Sequence, residues 1–139
     1  MPVCVAGEEM KIDRLDHLVL TVKDLAATCE FYSSVLGMQV IKFGKGRTAL
    51  RFGDQKMNLH EAGREFSPRA HNPTPGSGDL CFITSVPMAQ VIEHLRGCGT
   101  EIIEGPGPRT GARRMLDSVY IRDPDDNLIE ISNETSEPS

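Results

Sequence analysis

The sequence predicts an α+β fold made of two tandem β-α-β-β-β modules whose curved mixed sheets enclose a cup. Three observations predict it: an internal repeat, period-2 apolar alternation in short runs, and two helical stripes each closed by a glycine. Residues 17–41 and 79–103 align without a gap at an offset of 62 (17 to 79), placing Leu18 over Leu80, Gly37 over Gly99 and Ile41 over Ile103. Identity between the copies is low, so the order of elements carries the repeat.

The first module is assigned to residues 12–61. Residues 15–22 read as a strand with Leu18, Leu20 and Val22 on one face and His17, Val19 and Thr21 on the other. Asp24 is a plausible N-cap for a helix over residues 25–36, striped by Leu25, Cys29, Tyr32 and Leu36 and closed by Gly37. Strands over 38–43, 47–52 and 56–60 follow, punctuated by Gly44-Lys45-Gly46 and Gly53-Asp54. Thr48, Leu50, Phe52, Met57 and Leu59 face the helix, leaving Arg47, Ala49, Arg51, Asn58 and His60 on the open face.

Residues 62–78 carry three prolines among small residues and read as a linker. The second module, residues 79–133, repeats the pattern: a strand over 79–84, a helix over 88–98 striped by Met88, Val91, Ile92 and Leu95, and a short strand over 101–104. Residues 105–114, GPGPRTGARR, are expected to form a loop of the kind that acts as a lid, with Arg109, Arg113 and Arg114 available to a ligand. Residues 117–132 are a hairpin, with Val119 and Ile121 alternating with Ser118, Tyr120 and Arg122 on the outgoing strand, Ile129 and Ile131 alternating on the return, and Asp123-Pro124-Asp125-Asp126-Asn127 as the turn. Residues 1–11 and 134–139 are expected to be flexible tails.

A length of 139 residues fits one compact unit. The net charge of −5, without any Lys/Arg-rich block, argues against nucleic acid or an anionic membrane as partner. No apolar run approaches the ~20 residues a spanning helix needs. MPVCVAGEEMKI has neither a basic nor an apolar leader region, which favours a cytoplasmic setting. Cys4, Cys29, Cys81 and Cys98 form no CxxC pair and are expected to be reduced and mostly buried.

The repeat gives the site. His17 and Asp79 start the first strand of each module, while His60 and Glu130 end the fourth, all opposite the helix. A pseudo-twofold would gather them at the mouth of the cup. Two imidazoles and two carboxylates suit a six-coordinate divalent ion (Ni, Co, Mn, Zn, Mg or Fe) rather than a thiolate zinc centre, with two positions left for substrate. Arg47 and Arg51, with Tyr120 and Arg122 in the second module, are candidates for binding an anionic substrate or for structural ion pairs. His71, in the linker, and His94, on a polar helix face, are expected to be solvated.

DHLVLTVKDLAATCEFYSSVLGMQV and YIRDPDDNLIEI resemble the vicinal oxygen chelate superfamily, which holds glyoxalase I, extradiol dioxygenases and antibiotic-resistance proteins, and within it the glyoxalase domain-containing members. The resemblance covers residues 12–133 and implies that His17, His60, Asp79 and Glu130 hold metal. It departs at Asp126, where the family turn carries Gly, and at Asp79, where His or Glu is common. It implies lyase or isomerase chemistry of the glyoxalase type on a small, oxygen-chelating, anionic substrate, with a metal-stabilised enolate and Glu130 moving the proton. Two alternatives stand beside it: a non-haem Fe(II) dioxygenase using His17, His60 and Glu130, or a non-catalytic binding module like the resistance proteins. A symmetric homodimer is the expected assembly.

Overall fold

The computed structural model describes residues 9–139, so residues 1–8 of the expected N-terminal tail, Cys4 among them, lie outside the described residues. The first module contains β1 (His17–Val22), α1 (Leu25–Ser34), β2 (Gln39–Phe43), β3 (Arg47–Phe52) and β4 (Gln55–Glu61). The second contains β5 (Asp79–Ile83), α2 (Met88–Gly97), β6 (Glu104–Thr110), β7 (Arg114–Arg122) and β8 (Leu128–Pro138). Each module is a four-stranded mixed sheet, ordered β1-β4-β3-β2 and β5-β8-β7-β6, so the two copies have one topology.

Local chemistry sets the boundaries. Asp24 caps α1 by accepting a hydrogen bond from the Ala27 amide at 3.0 Å, and Gly37 at φ 68° lets the chain leave it. Met88, Val91 and Leu95 form the buried stripe of α2. Leu20, Val22, Leu50, Met57 and Leu59 of one sheet join Val119, Ile121, Ile129 and Ile131 of the other, together with both helices, in a single core. Phe52 and Phe82 meet edge to face across the modules at 5.2 Å. His94 is exposed, as expected, but is not wholly given to solvent: its Nε2 donates to the Val35 carbonyl at 2.7 Å and fastens α2 to the end of α1.

Three further expectations are corrected. Residues 105–110 are not a lid but the body of β6, an edge strand; an edge tolerates Pro106 and Pro108 because their missing N–H groups would face no neighbour. Nor is the C-terminal segment a free tail, since β8 runs to Pro138 and pairs Arg114 with Pro138 and Leu116 with Glu134. Cys81 and Cys98 are exposed, not buried, although Cys29, Cys81 and Cys98 are all free thiols.

The β7–β8 turn joins the modules. Asp123 is 5 % exposed and accepts four hydrogen bonds: from the Tyr32 hydroxyl of α1 at 2.6 Å, the Asp125 and Asn127 amides at 2.9 and 3.0 Å, and the Asn127 side chain at 2.8 Å. Asn127 in turn accepts from the Gly78 amide at 2.6 Å, fixing the start of β5. Asp126 adopts φ 65°, the left-handed conformation read from its position in the turn. Because a Cβ is strained there, Asp126→Gly is expected to stabilise the fold by about 0.5–1 kcal/mol in urea unfolding. A loss of stability would show that the Asp126 side chain itself holds the turn.

Candidate metal and substrate site

The open faces of the two sheets present matching rows of side chains. In the first module β1 and β4 are parallel, with His17 opposite Lys56, Val19 opposite Asn58 and Thr21 opposite His60. In the second, Asp79 lies opposite Leu128, Cys81 opposite Glu130 and Ile83 opposite Ser132. Val19 and Cys81 are equivalent under the 62-residue offset (19 to 81), so the first-module counterpart of Glu130 is Asn58. His60 corresponds to Ser132, two residues further along. The expected equivalence of His60 with Glu130 is therefore corrected. It came from laying β4 on β8 by chemical type, whereas the ladder fixes the register.

That shift has a geometric consequence. Two residues along a strand and one strand across separate His17 from Asn58, and Asp79 from Glu130, by about 8 Å between Cα atoms, a span over which two side chains can share an ion. Four residues separate the levels of His17 and His60, about 13 Å along the strand, too far for two imidazoles standing off the same face to share one.

Each position carries a distinct environment. His17 Nδ1 lies 2.9 Å from Asp16, and the hydrogen bond between them holds the Asp16 carboxyl below its ordinary range. A carboxylate on Nδ1–H leaves Nε2 with its lone pair outward, the tautomer a metal takes. Asn58 is 9 % exposed and its Oδ1 has no hydrogen-bond partner among the described residues. Asp79 is exposed at the start of β5. Glu130 accepts from Ser118 Oγ at 2.7 Å, while Ser132 Oγ lies 2.6 Å from that hydroxyl and 3.3 Å from the carboxylate. Both serines are buried, so one carboxylate oxygen is oriented by hydroxyls shielded from solvent.

Around Glu130 the sheet continues with Tyr120 directly opposite on β7 and Glu104 opposite Tyr120 on β6. Arg109 donates from Nε to the Tyr120 hydroxyl at 3.0 Å and pairs with Glu104. Burial pushes the Tyr120 phenol up, and Glu130 adds to this against the opposing Arg109 contact. Burial likewise pushes the Cys81 thiol up, which keeps it protonated rather than nucleophilic.

The predicted anion binders diverge. Arg109 and Arg113 are engaged by Glu104 and Glu134, and Arg114 and Arg122 donate to the carbonyls of Ser136 and Asp126 at 3.3 Å. Arg51 is exposed in the row of His17 and Lys56. Arg47 is part-buried and stacked on Phe66. His60 is 6 % exposed, and burial first, then Arg47, holds its imidazole below the ordinary value. Residues that the sequence reading passed over are Asn58, Ser118, Ser132 and Phe66; the strand register alone would have flagged Asn58.

Within a single chain, no group of three or more His, Cys, Asp or Glu side chains is close enough to hold a metal ion among the described residues. His17 and Asn58 lie on one sheet, Asp79 and Glu130 on the other, and the helix sides of both sheets face the shared core. Val19 at 46 % and Ile83 at 53 % exposure leave part of each open face uncovered by the chain itself, although Asn58, His60, Ser118 and Ser132 on those faces are buried.

A chain with two such sheets and matching rows is a member of the Glyoxalase/Bleomycin resistance protein/Dioxygenase superfamily, whose family profile matches residues 14–131. It is 56 % identical over 124 residues to virulence protein STM3117 of Salmonella typhimurium, covering 89 % of this chain and 86 % of that one. The solved structure of an integron cassette protein from V. cholerae superposes with a TM-score of 0.90 at 53 % identity, covering 91 % of this chain and 99 % of that one. A fosfomycin resistance protein from Listeria monocytogenes, solved with Mn(II) and sulfate, shares the fold at a TM-score of 0.63 and 23 % identity, covering 91 % of this chain and 94 % of that one. No helix among the described residues is long and apolar enough to cross a membrane.

Proposed function

We propose that the protein is a divalent-metal enzyme of glyoxalase type whose site is completed by two chains. His17 and Asn58 come from one chain, Asp79 and Glu130 from its partner. The observation that carries this reading is the matched register, which puts Asn58 level with Glu130 and leaves Asn58 Oδ1 buried without a partner. One imidazole, one amide oxygen and two carboxylates fit a hard ion such as Mn or Mg, and the Mn(II)-bound fosfomycin resistance protein has the same fold. A bound ion supplies Lewis-acid polarisation of two substrate oxygens.

The protein's own residues do the rest. Glu130, oriented by Ser118 and Ser132, takes a proton from the substrate carbon beside the polarised carbonyl and returns it. Tyr120, opposite Glu130, keeps its proton and donates a hydrogen bond toward the same space. In the proposed pairing Arg51 and Lys56 of the first sheet come opposite Asp79 and Glu130 of the second, which supplies charge complementarity between two chains as well as attraction for an anionic substrate. The ferrous two-His-one-carboxylate version loses support, because it needs His17 and His60 on one ion. Three free thiols agree with a reducing, cytosolic setting.

Metal analysis of protein purified without chelator tests this reading. Wild type is expected to carry or take up about one ion per chain, and Glu130→Ala to weaken binding by about 100-fold. Protein that takes up no Mn or Mg at all would overturn the enzyme reading and leave a non-catalytic binding module.

A further inference from the structure

Asn58 and His60 lie two residues apart on the same face of β4, both largely buried. Asn58 Oδ1 is buried without a partner; His60, two residues on, is 6 % exposed, its ring makes no hydrogen bond among the described residues, and its ring nitrogens keep what access to solvent the residue has. An imidazole whose nitrogens reach the open face without a protein partner is free to bind a ligand there. Beside it, the Arg47 guanidinium lies over the Phe66 ring at 4.6 Å and, more distantly, the Phe43 ring at 6.0 Å, which Lys56 Nζ also covers at 3.9 Å. It makes no salt bridge or hydrogen bond among the described residues. Stacking on aromatic faces fixes the plane of a guanidinium while leaving its five N–H donors unspent. The Phe66 ring also meets His60 edge on at 5.7 Å, so the linker lays one aromatic side chain over both groups. The neighbouring carboxylate that could neutralise them, Glu65, is engaged by the Gly63 amide at 2.7 Å.

We propose that Arg47, His60 and Phe66 form an oxoanion subsite that receives the anionic end of the substrate. This rests on the metal reading for the identity of the other end, and it deepens that reading by setting the substrate's length. The Thr21–His60 row lies two residues, about 7 Å, beyond the Val19–Asn58 row. A substrate that spans the two is a short dianion, with chelating oxygens at one end and a second carboxylate or a phosphate a few carbons away. The planar fork of Arg47 takes two oxygens of that group, and His60 donates to a third atom or to the bridging oxygen.

The test uses chelator-treated full-length protein, titrated with succinate and separately with inorganic phosphate while the ring signals of His60 and Phe66 are followed by NMR. Saturable shifts at both rings are expected, and the tighter of the two probes identifies the anion class. Arg47→Gln is expected to weaken the binding at least about 10-fold, while Arg96→Gln, on the exposed side of α2, leaves it unchanged. If Arg47→Gln melts without a folded baseline, Arg47→Lys, which keeps the charge and loses the fork, is read instead and weakens binding several-fold. Shifts elsewhere with His60 silent, no saturation with either anion, or equal affinity in the Arg47 variant would overturn the subsite. Repeating the titration with added Mg separates the two readings. Anion binding at His60 in protein that refuses metal removes the metal and keeps the subsite, and metal uptake with His60 silent does the reverse.

Discussion

Asp123→Ala is expected to destabilise the protein by about 3–5 kcal/mol in urea unfolding, the largest loss from any single side chain in the β7–β8 turn. The carboxylate is buried, and its four hydrogen bonds tie together elements remote in the chain: the turn itself, the start of β5 through Asn127, and α1 through Tyr32. Alanine leaves two backbone donors, a side-chain amide and a fully buried phenol without an acceptor at once. Burial, and then the adjacent Asp123, push the Tyr32 phenol far upward, so it stays protonated and keeps donating through the alkaline range. Tyr32→Phe removes only one of the four bonds and is expected to cost about 1.5–3 kcal/mol, as for a hydrogen bond to a charged acceptor. Combining the two changes should cost less than their sum, because the phenol cannot lose the same bond twice. A cost below about 1 kcal/mol for Asp123→Ala would mean that water enters the turn and replaces the carboxylate.

Most of the architecture is legible before any coordinates, because it is written in short-range chemistry. Asp24 and Gly37 bracket α1, alternation marks β3 and β8, and Asp123 to Asn127 spell a turn. What misleads is the reading of composition as conformation. GPGPRTGARR has the glycine and proline content of a loop, yet β7 offers it a free edge, and pairing with that edge outweighs local preference. The site is half legible for a related reason. His17, Asp79 and Glu130 are candidates that the repeat alone suggests, while His60 enters as the fourth because imidazole is a commoner metal ligand than amide, and the register aligns Asn58 with Glu130 in its place. Strand register is a long-range property, set by the β1–β4 ladder, and no window of sequence around residues 56–61 contains it. The pairing of Arg47 with Phe66 is equally invisible, since it depends on how a proline-rich linker folds back over the sheet.

Whether one chain or two complete the metal site can be decided without a structure of the complex. His17→Ala and Glu130→Ala are each expected to lose metal by about 100-fold, whereas His60→Ala, outside the row, is expected to keep it. If the site joins the first module of one chain to the second module of another, a mixture of the two defective chains behaves differently from either alone. In each mixed dimer one site inherits both lesions and the other inherits none. After random exchange of subunits about half the dimers are mixed, so about a quarter of all sites regain metal. A site closed within each chain gives no recovery in any proportion, because every site then carries one lesion whatever its partner. The exposed faces around Val19 and Ile83 favour recovery, since each needs a cover that its own chain withholds. Metal loss in His60→Ala equal to that in His17→Ala would return the imidazole to the ion and overturn the register argument itself.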